Sequence, residues 1–562
     1  MISRRSFSAL SLAPLAWPAG AQALPFAPLT ETFLEGLWGL DPDAAVAAGR
    51  FEMANRVTLP SAAQRQRAKA FFSDWLQRFE AVPEASLSVS ERMDRAILIA
   101  KLRADLWRLD TLREWQWNPA EHNPAASLDL LLNTEYAPLL FRVQALLPRV
   151  AALPAFYRAA QSSLAGVSGE HVALAIQQAP GVLSVLDDMA KRAAEAGQAA
   201  AFKAPLAAAR RAVNGYVAHL KKLKPVRSFR LGAALYEPKF QHDIQSARSA
   251  RETYELALAR REEVLTSMQA QATALWPTVM GAEPLPTDRF ALIGRVIDKL
   301  SQRHVARERF VDEIRAQIPQ LEAWVREHDL LSQDASKPLQ VRETPEYQRG
   351  VAGASIDAPG PYRPQDNTYY NVTPLTDLSA AEAESTLREY NHWILQILNI
   401  HEAIPGHYTQ LVHANRVPSK VKALFGNGAM VEGWAVYGER VMIESGYGAS
   451  PEMTLMWGKW HLRSVTNTVL DYSVHVLGMQ EKDALDLLVR QAFQTPREPQ
   501  EKWRRVQLTS VQLTSYFSGY SEIFALREQL KARPGFALKA FHERFLSYGS
   551  APVRLIAADM LR

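Results

Sequence analysis

The most informative absence from this sequence is cysteine. None of the 562 residues is a cysteine, which excludes disulfide bonds, thiolate metal ligands and a cysteine nucleophile. Any catalytic centre in this chain therefore uses other side chains.

A strong excess of charge of one sign is also missing. The chain has 64 Lys and Arg residues against 59 Asp and Glu residues, a formal net charge of +5. This near balance implies no basic face for nucleic acid. With 48% hydrophobic and 22% charged residues, the composition is that of a soluble globular protein that is long enough for more than one core.

The apolar stretch near the amino terminus, residues 9–19, is too short to span a bilayer and is interrupted by two prolines. We therefore expect no stable membrane anchor. The stretch follows Arg4-Arg5 and precedes Ala21-Gln22-Ala23, a cleavage site of the A-x-A type. Adjacent arginines before Ser-Phe are typical of the twin-arginine export route. We predict a twin-arginine signal peptide over residues 1–23 and a periplasmic mature protein.

Apolar residues recur every three or four positions through most of the chain, which predicts a mainly helical, all-α fold. A segment rich in Pro, Gly and Ser, residues 331–364, interrupts the helical pattern. We expect an N-terminal helical half (24–330) and a C-terminal helical half (331–562) that face each other across a deep substrate cleft. The sequence does not define the oligomeric state. The predicted helices are 62–79, 90–113, 127–147, 206–223, 247–274, 287–326, 454–475 and 482–492.

What the sequence does contain is a candidate metal motif, His401-Glu402-Ala403-Ile404-Pro405-Gly406-His407. In H-E-x-x-H zinc sites the histidines are four residues apart and share one helix face. Here they are six apart, about 120° around a regular helix. Both can bind one metal only if the helix is irregular between them. The alternative is a chance pair in which His401 is a hydrogen-bonded core residue.

The residues between the two histidines favour such an irregularity. Pro405 has no N–H for the carbonyl of His401, and Gly406 tolerates almost any backbone torsion. Upstream, apolar residues at helical spacing from Ser379 onward predict one helix that continues to His401 and turns that imidazole inward. We predict that this helix bulges or breaks between Ile404 and His407.

A catalytic zinc usually has three protein ligands and one open position. Glu432 and Glu439 are seven residues apart, so they share one face of a predicted helix. Glu432 follows His407 by one helical hairpin and is the candidate third ligand. Glu439 is placed to hydrogen-bond a ligand imidazole. The alternative for Glu439 is an ion pair with Arg440 or another surface charge.

These motifs resemble those of known families. The spacing of H-E, a second His and E-x6-E is similar to that of gluzincin metallopeptidases of the thimet oligopeptidase, angiotensin-converting enzyme and thermostable carboxypeptidase groups. H-E-A-I-P-G-H with E-G-W-A-x-Y-x-E more closely resembles a large bacterial family of all-helical proteins, a domain of unknown function. Further landmarks of that family are Arg230-Leu231-Gly232 with Tyr236, Asp471 to His475, Ser515-Tyr516 with Gly519 and Arg527, and Phe541-His542 with Gly549 and Pro552.

The resemblance implies roles for the motif residues. His401, His407 and Glu432 match the ligands of one zinc ion per chain, and Glu402 matches the general base that deprotonates the metal-bound water. His475 matches a residue that contacts the substrate at the reaction centre. Its segment reads Asp-Tyr-Ser-Val-His, whereas the family pattern is Asp-Thr-Gly-Leu-His.

Two tyrosines and a short strand are candidates for substrate contacts. Amide hydrolysis at zinc builds an oxyanion that needs a second donor, and a tyrosine hydroxyl can serve. Tyr516 and Tyr520 resemble the tyrosine-rich helix that lines the cleft of thimet-type oligopeptidases; packing in an apolar helix is the alternative. The β-prone run at 367–373, with Tyr370 and Asn371, corresponds to the gluzincin edge strand that pairs with extended peptide. Without that resemblance it would be a loop.

A charged anchor for a peptide carboxylate is available in Arg463 or Arg527, because the guanidinium fork suits a carboxylate. Together these features predict a zinc-dependent metallopeptidase that acts on peptides or peptide-like amides. Two alternatives remain: a zinc hydrolase of other amides or esters, and a non-catalytic peptide-binding or scaffold protein with a degenerate site.

Overall fold

The protein is mainly helical, which confirms the all-α prediction. The computed structural model describes residues 25–334, 336–337, 339–344, 353–363, 367–495 and 497–562. The predicted signal peptide, residues 1–23, lies outside the described residues.

Thirteen α-helices precede the strands in the described chain. They are α1 Phe26–Leu40, α2 Pro42–Ala47, α3 Ala62–Ala81, α4 Val89–Trp107, α5 Glu114–Trp117, α6 Ala125–Asn133, α7 Leu139–Ser163, α8 Gly169–Glu195, α9 Ala199–Leu220, α10 Ala233–Asp243, α11 Ala250–Met280, α12 Arg289–Leu300 and α13 Phe310–Glu327.

Eleven α-helices follow the strands. They are α14 Ala380–Glu389, α15 Ile394–Glu402, α16 His407–Ala414, α17 Lys420–Leu424, α18 Gly428–Glu444, α19 Pro451–His475, α20 Glu481–Val489, α21 Arg497–Leu508, α22 Ser515–Lys531, α23 Leu538–Leu546 and α24 Val553–Met560. Short 3-10 segments are Phe51–Met53, Glu84–Ser86, Pro119–Glu121, Arg307–Arg309 and Gln512–Thr514, and Arg108–Leu112 is a π-helical turn.

Three predicted helices are each divided into two. The 127–147 helix breaks before Pro138, and the 287–326 helix breaks between Leu300 and Phe310. The helix expected from Ser379 to His401 ends at Glu389, because a new helix starts after Asn391. The Oδ1 atom of Asn391 accepts hydrogen bonds from the N–H groups of Trp393 and Ile394 at 3.2 and 3.3 Å, which caps the start of this new helix. Periodicity alone did not reveal these caps.

The hydrophobic core runs across the predicted boundary at residue 330. One large cluster joins α1, α3, α4 and α11–α13 to the C-terminal helices, for example through Leu265 of α11 and Leu462 of α19. Helix α11 lies along α19. A second cluster is confined to residues 46–220 and is built mainly by α6–α9. A third, smaller cluster also joins the two predicted halves, for example through Tyr236 and Val511. The division into two halves stays a prediction.

Within the described chain, α7 is the helix that is long and apolar enough to cross a membrane by length and composition. Its inward face carries Val143, Leu146, Val150 and Leu153, all buried. These side chains belong to the second core, where α7 packs against α9. Packing in this core accounts for the apolar composition.

A small sheet of three strands precedes the metal-motif helix. The strands are β1 Gln340–Glu343, β2 Ala354–Asp357 and β3 Tyr369–Val372, in the order β1-β3-β2. Strand β3 pairs in parallel with β1 and antiparallel with β2. The predicted strand exists, but the prediction that it is an edge strand is wrong, because both of its sides are paired. Strands β1 and β2 are the two edges of the sheet.

Candidate metal centre

The helix breaks between the two motif histidines, as predicted. Helix α15 ends at Glu402 and α16 begins at His407. The N–H of Gly406 donates to the carbonyl of Ile400 at 3.0 Å, which folds the chain back. A Cβ on Gly406 would lie 1.9 Å from the carbonyl oxygen of His401. The return of the chain therefore requires glycine at this position.

This fold brings the three predicted ligands together. The Nε2 atoms of His401 and His407 lie 3.7 and 3.4 Å from Oε2 of Glu432. One donor atom from each residue falls within 4.8 Å of the other two. Glu432 reaches the histidines from α18, which is capped by Asn427, whose Oδ1 accepts from the N–H of Met430 at 2.8 Å.

Three further hydrogen bonds position the ligands and the helix break. Nδ1 of His401 lies 2.7 Å from Oε1 of Glu439, a buried carboxylate two turns beyond Glu432. The carboxylate holds a proton on Nδ1, so that with a metal ion bound Nε2 would present its lone pair to the ion. The indole N–H of Trp460 donates to the same oxygen at 3.1 Å. Trp434 donates to the carbonyl of Pro405 at 2.8 Å and so anchors the helix break to α18.

Burial and charge have opposite effects on the carboxylates. Burial raises the pKa of Glu402, and the nearby imidazoles of His407 and His401 only partly oppose it. Burial also disfavours ionised Glu432, but the same two imidazoles outweigh it and hold the pKa of Glu432 below its usual range. Glu432 is therefore held in the ionised form that binds a metal ion, whereas Glu402 is the carboxylate with the stronger affinity for a proton.

The donor set fits a metal ion. Oε2 of Glu432 is buried and has no hydrogen-bond partner among the described residues. Two imidazole nitrogens face it at 3.4 and 3.7 Å. Tetrahedral coordination with bonds of ~2.0–2.1 Å separates ligand atoms by about 3.3 Å, close to these distances. Two neutral imidazoles and one carboxylate with no further protein ligand are typical of catalytic zinc sites.

The candidate centre opens into a cavity of about 810 Å³. Glu402, His401 and Tyr516 line it, together with Gly353 and Ala354 at the β2 edge. Tyr516 reaches it because α22 crosses α18 with almost no space between the backbones. A Cβ on Gly519 would lie 1.7 Å from the carbonyl oxygen of Ala429. This close approach holds α22 against the ligand-bearing helix α18, and Tyr516 lines the same cavity as His401 and Glu402.

Tyr370 and Asn371, predicted to bind substrate, are not among the residues that line the cavity. Both belong to the central strand and are fully buried. The hydroxyl of Tyr370 donates to Asn399 at 2.9 Å, and Asn371 Nδ2 donates to Asp357 at 2.7 Å. The prediction placed them on an edge strand; since the strand is central, their polar groups hold the sheet and the adjacent helix together.

Tyr520 and Arg527 are also outside the cavity lining. Tyr520 is buried, and its hydroxyl accepts from Arg440 at 2.6 Å. Arg527 pairs with Glu444 at 2.6 Å and Glu528 at 2.8 Å. Since these partners satisfy both groups, the structure corrects their predicted role as substrate contacts.

His475 is not among the residues that line the cavity. It is buried at the end of α19, and its Nε2 lies 2.8 and 2.9 Å from the carbonyls of Val506 and Thr509. It therefore ties α19 to the end of α21, and the structure corrects its catalytic assignment. Arg463 does line the cavity, but it pairs with Glu498 at 2.9 Å, so it is not a free carboxylate anchor.

Sequence reasoning missed two parts of this site. Trp460 lies in the predicted 454–475 helix, seven residues before Asn467 on the same cavity-lining face, and no short motif marks it. Helix α21, which supplies Lys502, Arg504 and Arg505 to the cavity wall, was not predicted at all. Its basic run Lys502-Trp503-Arg504-Arg505 was the available signal.

The chain belongs to a family described as "Bacterial protein of unknown function (DUF885)", whose model matches residues 42–560. This confirms the bacterial family that the motifs resemble. No curated protein matches the chain significantly.

Two solved structures are similar to this protein. One is titled a "putative lipoprotein of unknown function" from Shewanella oneidensis; it is 45% identical, has a TM-score of 0.90, and the match covers 96% of this chain and 100% of that chain. The other is titled the "putative lipoprotein" from Colwellia psychrerythraea, with 15% identity, a TM-score of 0.73 and coverage of 95% and 98%. The second shows a shared fold only.

Proposed function

We propose that this protein is a zinc-dependent metallopeptidase, related to the gluzincins, that hydrolyses peptides or peptide-like amides. The observation that supports it best is the convergence of His401, His407 and Glu432 beside a cavity that His401 and Glu402 line. One zinc ion per chain, held by these three ligands, would polarise the amide carbonyl and lower the pKa of water toward ~7.

The residues around the ligands have separate tasks in this proposal. The Glu402 carboxylate takes a proton from water as the water oxygen attacks the carbonyl carbon. It returns that proton to the amine nitrogen as the C–N bond breaks. The raised pKa of Glu402, caused by burial, suits a group that both accepts and releases a proton. Tyr516 donates a hydrogen bond to the carbonyl oxygen as negative charge develops there.

We also propose that the mature protein works in the periplasm after export by the twin-arginine route. The amino-terminal Arg4-Arg5 and Ala21-Gln22-Ala23 support export. The titles of the two similar structures, both lipoproteins by name, agree with an envelope location.

Glu402→Gln tests the mechanism. Because Glu402 is not a ligand, we expect this variant to retain one zinc per chain by elemental analysis and to lose at least about 100-fold in peptide turnover. Glu432→Gln should instead lose the zinc. Glu255→Gln, at an exposed position on α11, is the matched control and should behave as the wild type.

The same assays separate the alternatives. Turnover of esters or non-peptide amides without peptide turnover would favour a different zinc hydrolase. Wild-type protein purified without chelator that holds no stoichiometric zinc would favour a non-catalytic scaffold. Full peptide turnover by Glu402→Gln would overturn the mechanism.

A further inference from the structure

One face of α21 forms a long wall of the cavity. Glu498, Glu501, Lys502, Arg505 and Leu508 all line it, at the three- and four-residue intervals of a single helix face. From the first to the last of these residues the helix rises about 15 Å. The wall therefore follows the cavity over several residues of an extended chain.

The acidic residues lie at the amino-terminal end of this wall and the basic residues lie further along it. The two groups have different kinds of partner. At the amino-terminal end, Glu498 is paired with Arg463 at 2.9 Å. Further along, Nζ of Lys502 donates to the amide oxygen of Asn467 at 2.9 Å, and Arg505 donates to the amide of Gln512 at 2.7 Å. Among the described residues, no carboxylate lies within 4.0 Å of either cation.

Lys502 is the more unusual of these cations, because the residue is only 6% exposed. A buried ammonium is costly unless it is paired, and a neutral amide does not compensate its charge. Burial, assisted by the charge of Arg463, lowers the pKa of Lys502 to about 7. A ligand that brings an anionic group into this end of the cavity would supply the missing counter-charge.

The distance between the metal centre and Lys502 can be derived from two residues of α19. Trp460 is level with the centre, because its indole bonds the carboxylate that holds His401. Asn467, the partner of Lys502, is two turns further along the same face, a rise of about 10 Å. An extended peptide spans this distance with about three residues.

The cavity volume, about 810 Å³, is in the range of pockets that enclose small ligands, roughly 300–1,000 Å³. We propose that Lys502 and Arg505, with Arg504 beside them, form a subsite for a substrate carboxylate. The substrates are then short acidic peptides cleaved about three residues from the anionic group. This deepens the proposed peptidase function and rests on it.

The carboxylate can come from the carboxyl terminus of the peptide or from an internal Asp or Glu side chain. Pentapeptides followed by mass spectrometry separate these sources. One pair differs only in a free or amidated carboxyl terminus, and further pairs carry Glu or Gln at one position. We expect the wild type to favour the anionic member by roughly tenfold or more in kcat/KM. The pair that shows the preference identifies the source.

Variants of the wall complete the test. Arg505→Gln changes an exposed side chain, and Lys502→Met keeps an unbranched side chain in the buried position. Each should bring the anionic-to-neutral preference toward one, and because this preference is a ratio measured on a single variant, it does not depend on the variant's overall activity. Lys531→Gln removes an exposed charge at the end of α22 and is the matched control. A wild type without any preference, or variants that keep the full preference, would overturn the subsite.

Binding distinguishes failure of the subsite from failure of the peptidase proposal. Calorimetry with Glu402→Gln and the same peptide pairs needs no turnover. Tighter binding of the anionic peptides, without hydrolysis of any peptide by the wild type, would retain the subsite and reject the peptidase. Equal binding of both members would reject the subsite whatever the activity.

Discussion

Trp460 donates its indole N–H to Oε1 of Glu439 at 3.1 Å, and that same oxygen lies 2.7 Å from Nδ1 of His401. The chain of three groups crosses from α19 through α18 to α15. Each member is buried. The orientation of one ligand imidazole is thus set by a side chain 59 residues later in the sequence, on a helix that contributes no ligand.

Replacement of Trp460 by Phe removes this indole donor while it keeps an aromatic ring. Loss of such an outer contact typically lowers metal affinity by about 10–100-fold, and we expect a zinc Kd at least tenfold weaker in chelator competition. Trp457→Phe is the control, because Nε1 of Trp457 is buried without a hydrogen-bond partner among the described residues. Equal zinc affinity in the two variants would contradict the proposed positioning role.

Gly406→Ala tests the helix break. The added Cβ would collide with the carbonyl of His401, so the backbone must shift and separate His407 from its partners. We expect a free energy of unfolding lower by about 1–3 kcal/mol and weaker zinc binding. In Gly428→Ala the added Cβ meets no atom within 4 Å, so this variant should be near wild type in thermal unfolding and zinc titration. A Gly406→Ala variant with unchanged zinc affinity would reject the need for glycine.

Tyr516→Phe should lower the catalytic rate, whereas Tyr520→Phe should lower the stability. Loss of the Tyr516 hydroxyl is expected to lower kcat by about 100-fold, with little change in KM or stability. Loss of the Tyr520 hydroxyl removes its bond to Arg440 and should lower the free energy of unfolding by about 1–2 kcal/mol, with kcat retained. Steady-state kinetics and denaturant unfolding on both variants make the comparison. The opposite pattern would exchange the two roles.

The pH dependence of binding should report Lys502. Its pKa is lowered to about 7 by burial and by Arg463, while Glu498 and the more distant Glu389 raise it and Arg505 lowers it. The ammonium that attracts a carboxylate is therefore present below about pH 7 and is lost above it. We expect the affinity of Glu402→Gln for acidic peptides to fall between pH 6 and 8.5, measured by calorimetry. Combination with Lys502→Met should flatten that profile, and an unaltered profile would exclude Lys502 as the titrating group.

Local chemistry explains why much of the candidate centre was predictable. Pro405 and Gly406 indicate a break whatever surrounds them, and Glu432 and Glu439 share a helix face by spacing alone. The fold class followed from the 3.6-residue pattern in the same way. These inferences needed only neighbours within two or three helical turns.

The errors came from information that spacing does not carry. The β-propensity of 369–372 predicts a strand, but its position in the sheet depends on β1 and β2, which join it from 12 or more residues away. The hydrogen-bond partners of Arg527 and Tyr520 likewise come from α18. A side chain that looks available in the sequence is often satisfied by a helix that only the tertiary structure brings near.

The packing of α11 against α19 determines whether the C-terminal part of the protein can fold alone. A gene fragment that encodes only residues 331–562 would contain all three candidate ligands, Glu402 and Tyr516. It would still lack the surface on which α19 rests, because that surface belongs to α11. We expect such a fragment to be insoluble or partly unfolded, and we expect the intact protein to lose its metal centre in the same cooperative transition that separates α11 from α19.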